Sequence, residues 1–234
     1  VKHYHGLEPR LSMNYCINKA QAIKASYTRT YQYLHLISNT VIPSPTDIWK
    51  ISDQYVPPTR ADHYSLGFYQ NLSDNLLETS IEVYYKSLDN IIEYKNGANL
   101  LYNPNMETEI LTGVGRSYGL EIFAKKNHGR FTGWLSYTLS RAELKVETPF
   151  PEQTINNGRY FPANHHKLHD ISLASIVQIG KRWAASGTFN FSSGRPITLP
   201  AGKYEFEGNL VPHFQDRNQN NLPSYHRLDL SVKW

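Results

Sequence analysis

Cysteine is almost missing from this sequence: of 234 residues, only Cys16 carries a thiol. No internal disulfide can brace the chain, and a lone cysteine reads as a small buried residue. Long apolar runs are missing too. No stretch of about 18 apolar residues occurs, which excludes a membrane-crossing helix. A barrel is not excluded, because its strands show an apolar residue only at every second place. The net charge of +4 is spread along the chain without a basic run, so there is no nucleic-acid footprint. A serine-centred nucleophile motif, a phosphate-binding glycine loop and paired cysteines are also lacking. Ser193-Gly194-Arg195 begins a loop and does not form a strained elbow. No catalytic residue, cofactor or metal ligand is therefore assigned. No signal peptide begins the chain. Val1 is not a natural start and Trp234 falls in mid-strand, so the expectation is an internal piece of a longer protein.

What the sequence does contain is aromatics, led by 17 tyrosines with 9 phenylalanines and 4 tryptophans. Such rings suit the two faces of a membrane. The organising stretch is RSYGLEIFAKKNHGRFTGWLSYTLSR, residues 116–141. Tyr118, Leu120, Ile122 and Ala124 fall on one parity, and Gly119, Glu121, Phe123 and Lys125 on the other. Asn127, His128 and Gly129 make a turn of the kind a tight hairpin needs. Phe131, Gly133, Leu135, Tyr137 and Leu139 then share a face against Thr132, Trp134, Ser136, Thr138 and Ser140. Each strand runs about ten residues, enough to cross a bilayer at a tilt. One face is greasy and the other rich in hydroxyls and charge, as a membrane barrel requires.

The same alternation predicts seven further strands. Their apolar parities are Leu11, Met13, Tyr15, Ile17; Ile23, Ala25, Tyr27, Tyr31, Tyr33; Tyr64, Leu66, Phe68, Leu72; and Leu77, Ile81, Val83, Tyr85. After the central hairpin come Ile171, Leu173, Val177; Trp183, Ala185, Phe189, Phe191; and Leu228, Leu230, Val232, Trp234. Connections alternate strictly. The short ones lie at 18–21, 73–76, 127–129 and around Gly180. The long ones cover 39–61, 88–115, 142–166 and 193–224, the last with a small hairpin at 203–212. Loops of such length are uncommon in compact soluble domains, whereas outer-membrane barrels have short periplasmic turns and long outer loops. Asn18, Asp74, His128 and Gly180 are thereby expected at the periplasmic end. Arg29 and Arg141 fall on apolar parity. Arg141 is expected at the outer interface, and Arg29 calls for a bulge in its strand or for snorkelling.

Several clusters could carry chemistry. His165, His166, His169 and Asp170 are metal-capable, but alternate residues of a strand point apart, so hydrogen bonding at a loop base is expected. Glu78, Glu82 and Lys86, and Glu121 with Lys125, fall on lumen positions and suit a solvated or plug-contacting wall. The long connections mix aromatics with polar residues: Trp49, Tyr55, Tyr94, Tyr102, Phe150, Tyr160, Phe161, Tyr204, Phe206 and Phe214. Such mixtures bind sugars, peptides or chelates. They equally pack loops against each other. Trp49, Tyr55, Tyr102, Tyr160, Phe161, Tyr204 and Phe214 are the ligand-binding candidates.

The central hairpin, with SYGLE and FTGWLSYTLSR, resembles TonB-dependent receptors of Bacteroidetes type. So do EPRLSMNY, SYTRTYQYLHLISN, ADHYSLGF, NNGRYFPANHHKLHDISL and YHRLDLSVKW. Only the histidines near 164–169 depart, where Arg or Asp is more usual in the family. The resemblance covers nearly the whole chain. It implies an all-β, antiparallel, up-and-down transmembrane barrel of 22 strands with a plug in its lumen. Residues 1–234 would supply about nine of those strands, an open curved sheet if taken alone. The partners implied are the plug, the TonB complex, outer-membrane lipid and a scarce solute such as a siderophore, cobalamin, glycan or peptide. Three rivals stand beside it: a passive porin or adhesin barrel, an outer-membrane lipase or protease, and a soluble all-β binding module.

Overall fold

A computed structural model of the chain describes residues 2–37, 48–73, 75–95, 98, 103, 105–206 and 208–234. Nine strands form one antiparallel meander. They are β1 (Arg10–Asn18), β2 (Gln21–Gln32), β3 (Thr59–Leu72), β4 (Leu77–Tyr94), β5 (Ile110–Lys126), β6 (Phe131–Lys145), β7 (His169–Ile179), β8 (Trp183–Ser192) and β9 (Tyr225–Lys233). Each pairs with the next, and a two-residue strand, Phe161–Pro162, adds to β6. β1 and β9 are not paired to one another, so the sheet is open. The short turns share one end and the long connections the other, hereafter the outer end.

Register follows the sequence alternation. Ile23, Phe68, Ile81, Ile122, Tyr137, Ile171 and Phe191 lie in one lateral row across β2 to β8. The row one residue away is Lys24, Gly67, Glu82, Glu121, Thr138, Asp170 and Ser192, on the opposite face. A one-residue slip of any strand would exchange these two rows. Left-handed backbone at Gly129 (φ 101°) and Gly180 (φ 69°) closes two of the short turns. Asp74, expected in another, lies outside the described residues.

Four features differ from the sequence expectations. β4, β5 and β6 run past residues 88, 115 and 142, taking in parts of two stretches expected to be loops. In β4 a bulge marks the break: Asn90 adopts φ 57°, and the β4–β5 register shifts between Asp89 and Ile91. Parity flips there, so a period-2 pattern cannot be followed across it. β2 carries no bulge at Arg29, which lies directly opposite Asp62 and holds its carboxylate at 2.7 Å. Cys16 is exposed, not buried. It belongs to β1, which has a neighbour on one side only. The first long connection contains a hairpin, Leu34–Ile37 with Ile48–Ile51. The hairpin expected at 203–212 is present as Pro200–Phe206 with Asn209–Phe214.

The buried cluster sits at the outer end, on the polar side of the sheet. Ile91, Leu111, Val146, Ile155 and Phe161 form it, flanked by Leu88 and Leu144. Gly113 makes this packing possible. A Cβ there would stand 2.3 Å from the Lys145 carbonyl oxygen and 2.8 Å from a Val146 methyl.

Candidate functional site

On the polar side, the third and fourth long connections join into one platform. Val146 leads into two single-turn 3₁₀ segments, Pro151–Gln153 and Ile155–Gly158. The run Asn156-Asn157-Gly158 is left-handed throughout, a conformation that Asn and Gly tolerate. It turns Ile155 and Phe161 down onto β4–β6. Asn156 and Arg217 exchange two hydrogen bonds, at 3.0 and 2.8 Å. Asn218 donates to the Pro162 carbonyl at 2.8 Å and to Asn164 at 2.6 Å. The Arg217 guanidinium pairs with Glu93, and both side chains are largely enclosed. A cavity of about 190 Å³ opens between Arg159, Tyr160, Asp216 and Asn218.

The first connection is tied down separately. Lys50 reaches Asp53 at 2.7 Å and also pairs with Glu107. Burial pushes the Lys50 ammonium down, but the hydrogen bonds it donates to the two carboxylates outweigh this and hold the group above its ordinary range. His35 is buried against the Ser52 hydroxyl.

Beneath the platform, the polar wall holds a cavity of about 400 Å³. Tyr84, Ser117, Thr138 and Ser140 line it with hydroxyls, and His165 and His166 close one side. Burial first, then nearby Lys86, pushes His165 below its ordinary range. Burial and Arg141 do the same to His166, whose Nδ1 accepts the Ala142 N–H at 3.3 Å. His169 meets the Tyr137 hydroxyl at 2.9 Å, and Asp170 pairs with Lys167 at 3.2 Å. His166 and His169 thus have separate hydrogen-bonding partners. Further along the wall, Glu82 and Glu121 stand directly opposite each other. Tyr69 donates to Glu82 at 2.6 Å, and the Lys24 ammonium sits 4.2 Å above the Tyr69 ring.

The apolar side ends in aromatic rows. Tyr27, Tyr64, Tyr85 and Tyr118 are consecutive partners on β2 to β5, and Arg141 takes the next place. The Tyr27 and Tyr64 rings lie 4.9 Å apart, and the Tyr27 hydroxyl donates outward to Asp62 at 2.7 Å. At the short-turn end, Trp183 and Trp234 approach to 6.4 Å.

The aromatic candidates divide three ways. Trp49, Tyr55, Tyr204 and Phe214 are exposed on the outer connections, as are Phe150 and Phe206. Tyr160 lies over the Arg116 guanidinium at 3.9 Å. Phe161 is 1% exposed and packs the platform. Tyr102 lies outside the described residues. Sequence reading missed Asn156, Arg217 and Asn218, whose signal was the Asn-Asn-Gly turn; the bonds that join the third and fourth connections through them span 54 to 61 residues.

The family model "TonB dependent receptor-like, beta-barrel" matches residues 1–234. No curated protein matches the chain. Among solved structures, the ferripyoverdine receptor of the Pseudomonas aeruginosa outer membrane, bound to ferripyoverdine, superposes with a TM-score of 0.61 at 14% identity, over 96% of this chain and 26% of that one. The FrpB iron transporter of Neisseria meningitidis gives 0.60 at 12%, over 98% and 32%. The alcaligin outer-membrane receptor FauA of Bordetella pertussis gives 0.53 at 17%, over 96% and 36%. The chain thus spans about a quarter to a third of these structures, and at such identities the likeness is one of fold. With the family match covering every residue and the open meander superposing on such barrels, the chain belongs to the TonB-dependent receptor β-barrel family.

Proposed function

We propose that residues 1–234 form part of the barrel wall and outer loops of an outer-membrane transporter. The whole receptor would take up a scarce solute with energy passed from the inner membrane. The observation that carries this reading is the two-faced wall, with a seven-strand apolar row one residue away from a seven-strand polar row. Leu66 and Ile81 are about half exposed on the apolar face, a pattern that a soluble module would not carry across a whole sheet. From Tyr118 to Lys126 a strand rises about 26 Å, or roughly 20 Å at barrel tilt, near the apolar thickness of such barrels.

The polar face then lines a lumen holding a plug domain. Glu82 and Glu121, opposed on neighbouring strands, repel as a bare pair and suit a cation on that plug. The solute would be captured from outside by the loops, with Trp49, Tyr55, Tyr102, Tyr160, Tyr204 and Phe214 offering stacking faces and Phe161 holding their base. Capture would be signalled through the plug, and pulling on the plug by the TonB complex would open the path. Siderophore, cobalamin, glycan and peptide all fit this mixture of rings and amides. Covalent chemistry has no part in the mechanism.

The test is uptake by the full-length protein in outer membranes, with and without the inner-membrane proton gradient. Accumulation that stops when the gradient is dissipated supports active transport. Accumulation that persists supports a passive porin and overturns this reading.

A further inference from the structure

We propose that the outward face beside Arg116 and Arg141 binds the phosphorylated headgroup of a lipid in the surrounding membrane leaflet. The proposal rests on the wall spanning a membrane. Arg141 occupies the fifth place in the row that begins Tyr27, Tyr64, Tyr85, Tyr118. Two residues further out in the register, on the same face, Ser87, Arg116 and Glu143 are aligned. Tyrosines of this kind mark the membrane–water interface, so these charges stand where headgroups lie.

The charged band has two halves, and they differ. Arg29, Asp62, Arg60 and Asp89 form the first. Arg29 holds Asp62 at 2.7 Å, Arg60 reaches Asp62 at 3.4 Å, and Arg60 also pairs with Asp89. Two guanidiniums and two carboxylates neutralise each other. In the second half, Arg116 and Arg141 share the single carboxylate of Glu143, at 2.7 and 3.4 Å. One positive charge is left over. Glu143 is 10% exposed beneath them, while the Arg141 side chain is 58% exposed. The Tyr160 ring covers one face of the Arg116 guanidinium, which fixes its plane and leaves its edge for hydrogen bonding. Two guanidiniums held by one carboxylate, with donors to spare, match the oxygens of a phosphate. A phosphate bound there would complete the neutralisation that the first half achieves within the chain.

The experiment uses the full-length receptor in mild detergent. Native mass spectrometry follows retention of a diphosphorylated glycolipid, lipid A, against its dephosphorylated form. Retention of lipid A should fall roughly tenfold in R116Q/R141Q, about one decade of affinity, and stay unchanged in R60Q. In R116K/R141K, which keeps charge but loses the forks, the fall should be smaller. Equal retention of the dephosphorylated form, equal loss in R60Q, or no retention by the unaltered protein would each overturn the proposal. Heat-modifiable gel mobility of each variant shows that the barrel has folded. If the full-length protein fails to enter membranes at all, the transporter reading fails with it. If it enters and retains no lipid, only the headgroup site is lost.

Discussion

Inward of the tyrosine row, towards the short turns, this molecule has almost no core of its own; outward of it, it has one. Apart from Gly67, every residue buried among the described ones lies at the outer end or in the long connections. Along the crossing, side chains such as Leu66, Ile81 and Leu230 stay open on the apolar face. Burial there is left to lipid on one side and to lumen contents on the other. At the outer end the chain buries Ile155 and Phe161 against its own strands, as a soluble domain would. The crossing and the platform are therefore stabilised by different surroundings and should respond separately to mutation.

The largest break in that separation comes from the platform core. Phe161→Ala removes a side chain that is fully enclosed, and such truncations cost about 3–5 kcal/mol. In the full-length receptor, hydrogen exchange should rise across residues 146–163 and leave β4–β6 near residues 118–126 unchanged. Equal loss of protection in both regions would show that they are one cooperative unit. Glu93→Ala should act nearly as strongly. It removes the carboxylate that the Arg217 guanidinium pairs with in an enclosed site, and removing one partner of a buried pair costs about 3–5 kcal/mol. Its signature is exchange in residues 215–220, because Arg217 and Asn218 tie the fourth connection to the third.

How much of this was legible in the sequence divides along the same line. In the crossing, side-chain direction is a local property of period 2. The alternation from Tyr118 to Leu139 was therefore enough to place β5, its turn and β6 and to assign their faces. The same reasoning found nine strands and the order of short and long connections. It stopped at Asn90, where one extra residue exchanged the faces. In the platform, position is set by partners far along the chain. Glu93 and Arg217 are 124 residues apart, and no spacing rule joins them. Arg29 lay between the two cases. Its parity was right, but its reason was Asp62 across the strand, which only the register reveals. For the aromatic candidates, sequence composition could not separate Phe161, which packs, from Trp49, which is exposed.

A smaller effect sharpens the comparison within the crossing itself. Ile122 lies in the seven-strand apolar row, whereas Tyr118 lies in the tyrosine row. Ile122→Arg should cost about 2–4 kcal/mol and Tyr118→Arg about 0–1 kcal/mol, because an arginine near the interface reaches water. Urea unfolding of the full-length receptor in lipid vesicles measures both. Equal costs would mean that the tyrosine row does not mark the interface.

The smallest expected effect is one of pH, and it belongs to the outer end alone. His165 and His166 line the wall cavity, where burial holds both below the ordinary imidazole range; Lys86 adds to this at His165 and Arg141 at His166, while Glu143 opposes it at His166. The folded state therefore keeps them neutral, and the unfolded chain takes up protons first, near pH 6.5. Their contribution to stability is complete above that pH and is lost as the pH falls through it towards the lowered folded values. Lys167 and Asp170 also line the cavity, but they pair with each other. Acidification from pH 7.5 to 5.5 should raise exchange at residues 163–168 before it raises exchange in the crossing. H165Q/H166Q should flatten that response. A loop end that becomes more protected on acidification would reverse the sign and show that a carboxylate, not the imidazoles, governs the cavity.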